Sequence, residues 1–253
     1  MIKAKKRFGQ NFLIDNQIIR LIVDEIKFSK TNKYLEIGPG MGALTSELQK
    51  KTKKLSLIEI DSDMIEILKR KINVTTQLFE GDVLGFSDEF FNGFNVVLGN
   101  LPYYISTEII FRFMPIANIE NLYFMLQKEV ADRLVAKQGS KDNSILTNLI
   151  GFNFTVERLF DIKPECFEPA PKVTSSFIKF TRHKDYIHQV PYIHYKKVIK
   201  ESFKFKRKNL KNNLKDILNP GDFEKIKIPP TYRAEDLSIK DFIKITKFVI
   251  SNP

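Results

Sequence analysis

The sequence predicts an α/β fold: a parallel sheet covered by helices, ended by an antiparallel pair, and followed by a small, basic, helical unit. Three features point to it. Short apolar runs alternate with helical spacings over the first two thirds of the chain, a glycine-rich turn follows the first of those runs, and the pattern changes after Thr181.

The runs KYLEIGPG (33–40), KKLSLIEID (53–61), TTQLFEGD (75–82), FNVVLGN (94–100) and NLYFMLQ (121–127) each read as a buried strand ending in Gly or a polar residue. Between them, helical spacing covers 43–49, 63–72, 106–114 and 128–137, with Met64, Ile65, Leu68 and Ile72 on one face. Strands alternating with helices require right-handed crossovers and a parallel sheet buried on both faces. FNFTVERLF (152–160) and SSFIKFT (175–181) have a Pro-rich loop and little helix between them, which predicts the antiparallel end of the sheet. After the polar stretch RHKDYIHQVP, helix-like segments lie near 192–203, 208–218 and 238–249, the last with Ser238 as N-cap. The expected domains are 1–181 and 182–253.

Composition narrows the classes. With 253 residues, 43% hydrophobic and 28% charged, the chain is neither disordered nor collagen-like. A single cysteine, Cys166, excludes an internal disulfide and Cys-rich zinc sites, and reads as a packed small side chain. His183, His188 and His194 lack acid or Cys partners at ligand spacing, so no metal is expected. No apolar run nears the ~18 residues of a membrane helix. The basic segment MIKAKKRFGQNF lacks an apolar stretch behind it, so a cytoplasmic, reducing compartment is expected. The net charge is +11, and residues 182–253 hold 17 Lys/Arg against 8 Asp/Glu. That asymmetry favours a polyanionic partner, nucleic acid before membrane, over a merely solvated surface. Lys200, Lys204, Lys208, Lys211 and Lys215 recur at spacings of three and four, one face if the helix is continuous, opposite Leu210, Leu214 and Ile217.

The chemistry concentrates at strand ends. Glu36-Ile-Gly38-Pro-Gly40-Met-Gly42 lies between a strand and a helix, where glycines permit a sharp turn and helix N–H groups favour an anionic or polar ligand. Glu59 ends the next strand, where an acid accepts hydrogen bonds from ribose hydroxyls, and Asp82 ends the third. The G-x-G-x-G spacing differs from that of dinucleotide binders. Three polar stations in succession favour a nucleoside-containing cofactor over a structural turn with incidental acids. The fourth strand ends in Gly99-Asn100-Leu101-Pro102-Tyr103. A planar base amine could donate to Asn100 and to a carbonyl at Leu101 or Pro102, with Tyr103 stacked on the ring.

Asn-Leu-Pro-Tyr is similar to the motif of methylases that act on exocyclic amines, and nearly the whole chain resembles the ribosomal RNA adenine N6,N6-dimethyltransferase family. Arg7-Phe-Gly-Gln10-Asn11-Phe-Leu13 matches the family's N-terminal segment, implied to pack on the methionine end of S-adenosylmethionine. Glu36 to Gly42 matches the cofactor loop with Gly38 and Gly40, Glu59 the ribose acid, Asp82 with Val83 the adenine station, and Asn100 to Tyr103 the catalytic motif. Gln127 to Ala131, followed by Arg133 and Leu134, fits the run after the fifth strand. Phe167-Glu-Pro-Ala-Pro-Lys-Val173 fits the loop whose aromatic is implied to sandwich the target adenine, and Arg233 to Ser238 fits the close of the C-terminal domain. The chain departs from the family at KDNSILTN (141–148) and at Tyr104.

The resemblance implies a Rossmann-like class I methyltransferase sheet, parallel with an antiparallel C-terminal hairpin, plus a small all-α domain. It implies S-adenosylmethionine as cofactor and methylation of N6 on two adjacent adenosines near the 3′ end of small-subunit rRNA. The implied partner is a partly assembled small ribosomal subunit, met by a monomer through Lys200, Lys204, Arg207, Lys208, Lys211 and Lys215. Catalysis would rest on positioning and electrostatics rather than on a general base. The alternatives are a large-subunit methylase giving macrolide resistance, a DNA adenine methylase, and an assembly or transcription factor without catalysis. The presence of Glu59, Asp82, Asn100 and Tyr103 argues against the last.

Overall fold

A computed structural model describes Lys5 and residues 8–252. In chain order its elements are β1 (Phe12–Leu13), α1 (Asn16–Glu25), β2 (Tyr34–Ile37), α2 (Ala43–Lys51), β3 (Leu55–Glu59), α3 (Ser62–Lys69) and β4 (Gln77–Glu80). Then come α4 (Asp88–Phe91), β5 (Val96–Asn100), α5 (Ser106–Phe113), β6 (Asn121–Gln127), α6 (Lys128–Leu134), α7 (Ile145–Gly151) and β7 (Phe154–Ile162). The chain closes with β8 (Phe167–Glu168), β9 (Ser175–Arg182), α8 (Tyr192–Ser202), α9 (Leu210–Asn213), α10 (Asp222–Ile226) and α11 (Ile239–Ser251).

These elements form two units. The first holds the chain up to Ala131 together with Glu157–Thr181, the second Asp132–Val156 together with the chain from Arg182. A division at 181/182 is thus present, but 132–156, expected in the first domain, belongs with the second unit. The reason is its partners. The Tyr195 hydroxyl donates to the Asn148 carbonyl at 3.1 Å, the Phe152 ring lies 4.6 Å from that of Tyr195, and Asn143 Nδ2 donates to the Glu235 carbonyl at 2.8 Å.

In the first unit the sheet order is β4-β3-β2-β5-β6-β9-β7. Strands β2 to β6 pair in parallel and β9 pairs antiparallel to β6, from Asn121 opposite Thr181 to Gln127 opposite Ser175. β2, β3 and the interior of β6 are buried throughout, as strands covered on both faces must be. β4 departs from the buried strand expected at 75–82: it is an edge strand with Gln77 and Glu80 exposed, because only β3 flanks it. α1 has no counterpart among the expected elements, although Asp15 caps it by accepting from Gln17 and Ile18, and Ile19, Ile22 and Val23 bury one face.

The chain leaves β2 for β3 and β4 on one side, then returns to the other side for β5 and β6. The carboxyl ends of β2 and β5 therefore diverge into a crevice, the place where open α/β sheets bind ligands. Gly99 sits in β5 opposite Ile37, and a Cβ there would stand 2.5 Å from the Ile37 carbonyl oxygen.

In the second unit α8 packs with α11 and α7, around Tyr195, Val198, Ile199, Leu210, Phe242 and Ile245. Ser238 caps α11 as expected, its hydroxyl accepting from Asp241 N–H while the Asp241 carboxylate accepts from Ser238 N–H. The departure at 141–148 is scaffolding: Ser144 caps α7, and Asn148 Nδ2 donates to Asn143 Oδ1 at 2.8 Å. The helix expected over 208–218 is cut to the four residues of α9. Asn213 turns its amide back into the preceding loop, donating to the carbonyls of Ser202, Phe205 and Lys208 and accepting from Phe205 N–H. Among the described residues no helix is long and apolar enough to cross a membrane.

Gly99→Ala is expected to destabilise the fold by about 1–3 kcal/mol through overpacking against β2. Urea unfolding would show this as a lowered midpoint at constant slope; an unchanged midpoint would mean that the β2–β5 spacing yields freely.

Candidate active site at the sheet crevice

A cleft lined by the N-terminal segment, the glycine turn and the carboxyl end of β5 lies at this crevice. Its floor is the glycine turn after β2. Gly38, Gly40 and Gly42 have φ of +61°, +55° and +81°, a region costly for residues with a Cβ. At Gly40 a Cβ would also stand 3.0 Å from the Phe12 ring, so the turn and the N-terminal segment close on each other only because the residue is glycine.

Two acids line this floor in different settings. Glu59, at the end of β3 and 5% exposed, accepts Gly40 N–H on Oε2 at 3.0 Å, and the N–H groups of Ile60 and Asp61 on Oε1 at 2.9 Å. Burial raises its pKa against those three donors. Glu36, 2% exposed, has one donor among the described residues, the Thr45 hydroxyl at 2.7 Å. Burial first, with some repulsion from Glu59, pushes its pKa up to about 8 against that hydrogen bond.

The N-terminal segment forms the opposite wall. Gln10 Nε2 donates to Asp61 Oδ2 at 2.8 Å, and Lys5 forms ion pairs with Asp61 and Asp63. β1 pairs antiparallel with β8, Leu13 opposite Phe167, and Ile14 N–H donates to the Cys166 carbonyl. At the far end of the cleft, Asn100 Nδ2 donates to the Asn11 carbonyl at 2.7 Å. A carbonyl only accepts, so this bond fixes which way the Asn100 amide faces and leaves its Oδ1 as the free acceptor.

The second acceptor is also fixed. The Pro102 carbonyl takes Ile105 N–H at 3.2 Å, while the Leu101 carbonyl has no partner among the described residues. The Tyr103 hydroxyl is 2.6 Å from the buried Ser175 hydroxyl, and burial raises its pKa against that bond.

A family model described as ribosomal RNA adenine dimethylase matches residues 1–251. The chain belongs to this family. The ribosomal RNA small subunit methyltransferase A of Marinomonas sp. (strain MWYL1) is 41% identical over 98% of this chain and 96% of its own length. The protein of the same name from Pseudomonas aeruginosa is 38% identical over 99% and 96%. A dimethyladenosine transferase from Plasmodium falciparum superposes with a TM-score of 0.79 at 25% identity, covering 92% of this chain and 95% of that one. The 23S rRNA methyltransferase ErmE shares the fold, with a TM-score of 0.72 at 20% identity over 95% and 100%.

The site of this dimethylase-family chain draws together most of the residues expected from sequence. Gln10, Asn11, Leu13, Glu36, Gly38, Gly40, Glu59, Asn100, Leu101 and Pro102 all line the cleft. Arg7 lies outside the described residues. Asp82 and Val83 do not line it: Asp82 is exposed and caps the turn of Val83–Gly85 by accepting from Leu84 N–H, and Val83 is buried. Phe167 does not line it either: its side chain is 2% exposed within the core cluster of Leu13, Ile162 and Phe177. Phe12 and Met41, within the two matched cofactor segments, line it as well, and Ile60 and Met125 line it without having been expected. Ile60, 47% exposed, had a sequence signal as an apolar residue between the strand-ending Glu59 and Asp61.

The six expected RNA contacts Lys200, Lys204, Arg207, Lys208, Lys211 and Lys215 are all exposed. They do not share one helix face, because α8 ends at Ser202 and α9 begins at Leu210.

Glu36 sets a pH dependence. Its folded pKa of about 8 lies above the ordinary 4.5, so the native state keeps a proton that the unfolded chain releases. The resulting stability is full below the unfolded value and is lost as pH rises through the folded one. From about pH 5 to about pH 8 the wild type should therefore lose stability relative to Glu36→Gln. Urea midpoints of the two proteins across that range check it, and parallel profiles would remove the assignment.

Proposed function

We propose that this chain, an S-adenosylmethionine-dependent rRNA adenine methyltransferase by family, dimethylates N6 of two adjacent adenosines near the 3′ end of small-subunit rRNA. It would act in the cytoplasm as a monomer, on a partly assembled small ribosomal subunit. The observation that carries the reading is the enforced orientation of Asn100, with Oδ1 left free in the cleft next to Leu101, whose carbonyl has no partner among the described residues.

The donor set fits the cofactor. S-adenosylmethionine combines an ammonium, ribose hydroxyls and a flat base, and the cleft combines two buried carboxyls with the turn's backbone and the apolar faces of Ile60, Leu101 and Met125. Glu59 would take ribose hydroxyls with the acceptor capacity left on its carboxylate. Gln10, Asn11, Leu13, Glu36, Gly38 and Gly40 would enclose the rest. When bound, the cofactor supplies an electrophilic methyl carbon on a sulfonium with a neutral leaving group.

The chain's own residues then act on the nucleophile. N6 of adenine is a poor nucleophile because its lone pair is conjugated with the ring. Hydrogen bonds to Asn100 Oδ1 and the Leu101 carbonyl, from both N–H groups in the first transfer and from the remaining one in the second, favour the pyramidal nitrogen on which positive charge develops. Each transfer releases the neutral thioether, and N6 then loses a proton to water. Both acceptors are held before substrate arrives, Asn100 by the Asn11 carbonyl and Leu101 by the Pro102 ring that follows it. Tyr103, anchored through Ser175, supports the edge of the base site. The target base must leave any stack to enter. The exposed Lys200, Lys204, Arg207, Lys208, Lys211 and Lys215 supply phosphate contacts for the surrounding RNA.

Labelled methyl transfer to undermethylated small subunits, large subunits and naked RNA, followed by nuclease digestion and mass analysis, tests the assignment. N6,N6-dimethyladenosine is expected with small subunits alone; label on large-subunit RNA would overturn the substrate. Asn100→Ala is expected to lower turnover by roughly 100-fold or more while cofactor affinity measured by calorimetry is retained. An equal loss of both would remove Asn100 from the chemistry.

A further inference from the structure

The loop from Phe203 to Asn209 carries an aromatic that the catalytic reading leaves unused. Phe203 turns inward, its ring 6.0 Å from that of Phe242. Two residues on, Phe205 turns outward and is 54% exposed. Around it the chain reads Lys204-Phe205-Lys206-Arg207-Lys208, with all four cations exposed. Lys204 pairs with Glu201 at 3.2 Å, while Lys206, Arg207 and Lys208 have no acidic partner among the described residues.

The ring is displayed from a fixed backbone. The buried Asn213 accepts Phe205 N–H on Oδ1 at 3.1 Å and donates from Nδ2 to the Phe205 carbonyl at 3.2 Å, and Lys208 N–H reaches the same carbonyl at 2.9 Å. Further bonds from Asn213 to the Ser202 and Lys208 carbonyls close the loop. An exposed phenylalanine on a floppy loop would lose its entropy on binding; here the ordering is already done. An exposed flat apolar face within a run of exposed cations is complementary to a nucleobase flanked by phosphates.

We propose that Phe205 is a stacking platform for an unpaired RNA base, with Lys206, Arg207 and Lys208 on the adjoining phosphates. The second unit thereby prefers RNA with a splayed-out base over uninterrupted duplex. This rests on the RNA-binding reading and adds to it a contact selective for an unpaired base, made by a residue that does not line the methylation cleft.

The chain contains no tryptophan, so Phe205→Trp places a single tryptophan, excited selectively over the tyrosines, at the proposed contact. Titrated with an RNA hairpin carrying an unpaired loop, its fluorescence is expected to be quenched to saturation, whereas a blunt duplex of equal charge leaves it unquenched. Phe205→Ala should weaken the hairpin by roughly 5- to 150-fold, as for loss of one stacked base, with duplex affinity unchanged and Phe205→Tyr restoring the hairpin.

Equal effects of Phe205→Ala on hairpin and duplex, or no effect on either, would overturn the proposal. If Lys206→Gln with Arg207→Gln still flattens the salt dependence, the RNA-binding reading survives that failure. Loss of affinity for small subunits with none for protein-free RNA would assign Phe205 to a protein surface and overturn it as well. Methyl transfer measured on the same variants keeps a failure of the catalytic reading distinct.

Discussion

The hydrogen bond from Asn100 Nδ2 to the Asn11 carbonyl ties the reactive end of β5 to the N-terminal segment, and the rest of the site depends on it. An amide can face either way, and only one way presents an acceptor to an exocyclic amine. The choice is made by a main-chain carbonyl, which cannot donate. The position of that carbonyl is in turn set by the anchors of the segment on either side. Gln10 and Lys5 hold Asp61 before it, Phe12 sits on Gly40, and β1 pairs with β8 after it. The wall of the cofactor cleft and the orientation of the catalytic amide are therefore one construction.

The anchor at Asp61 is electrostatically secure. Burial opposes ionisation of this carboxyl, 1% exposed, but hydrogen bonds from Lys5, Gln10 and Asp63 N–H outweigh it and hold the pKa below the ordinary range. A depressed carboxyl pKa gives stability that is present above the unfolded value and fails only as pH falls through the folded one. The clasp is thus intact at neutral pH. Glu59 adds a second brace, since its three amide donors fix the turn at Gly40 and the start of α3 together. The same side chain can hold the loop and still face a ligand because a carboxylate has more lone pairs than those three bonds use.

What the sequence made legible follows from where chemistry sits in this fold. Strand alternation and the residues closing β2, β3 and β5 were readable because motif residues and the switch point coincide at strand ends. Asp82 marks the limit: its position at a strand end was readable, but a local bond to Leu84 N–H claims its carboxylate. Phe167 was placed by resemblance next to a base, whereas its burial beside β1, opposite Leu13, depends on residues more than a hundred positions away in the chain. The membership of 132–156 in the second unit has the same origin, in contacts of Asn143 and Asn148 with distant residues. Apolar lining such as Ile60 and Met125 lies outside the matched motifs, since its role is shape.

The interrupted helix near Asn213 alters what the basic region can recognise. A continuous helix would carry Lys200, Lys204, Lys208, Lys211 and Lys215 as a stripe, a shape suited to following a phosphate backbone. Asn213 is a poor helix-interior residue because its amide competes for backbone groups, and here it wins four such bonds. The stripe is divided between α8, the loop that follows and α9, and Phe205 lies within the loop's run Lys204-Phe205-Lys206-Arg207-Lys208. Among the described residues Glu201 is the one acid paired with any of these cations. Charge then supplies attraction to any RNA, and the proposed stacking on Phe205 supplies a preference among RNAs, because a stacking face is available only to a base that has already left its helix.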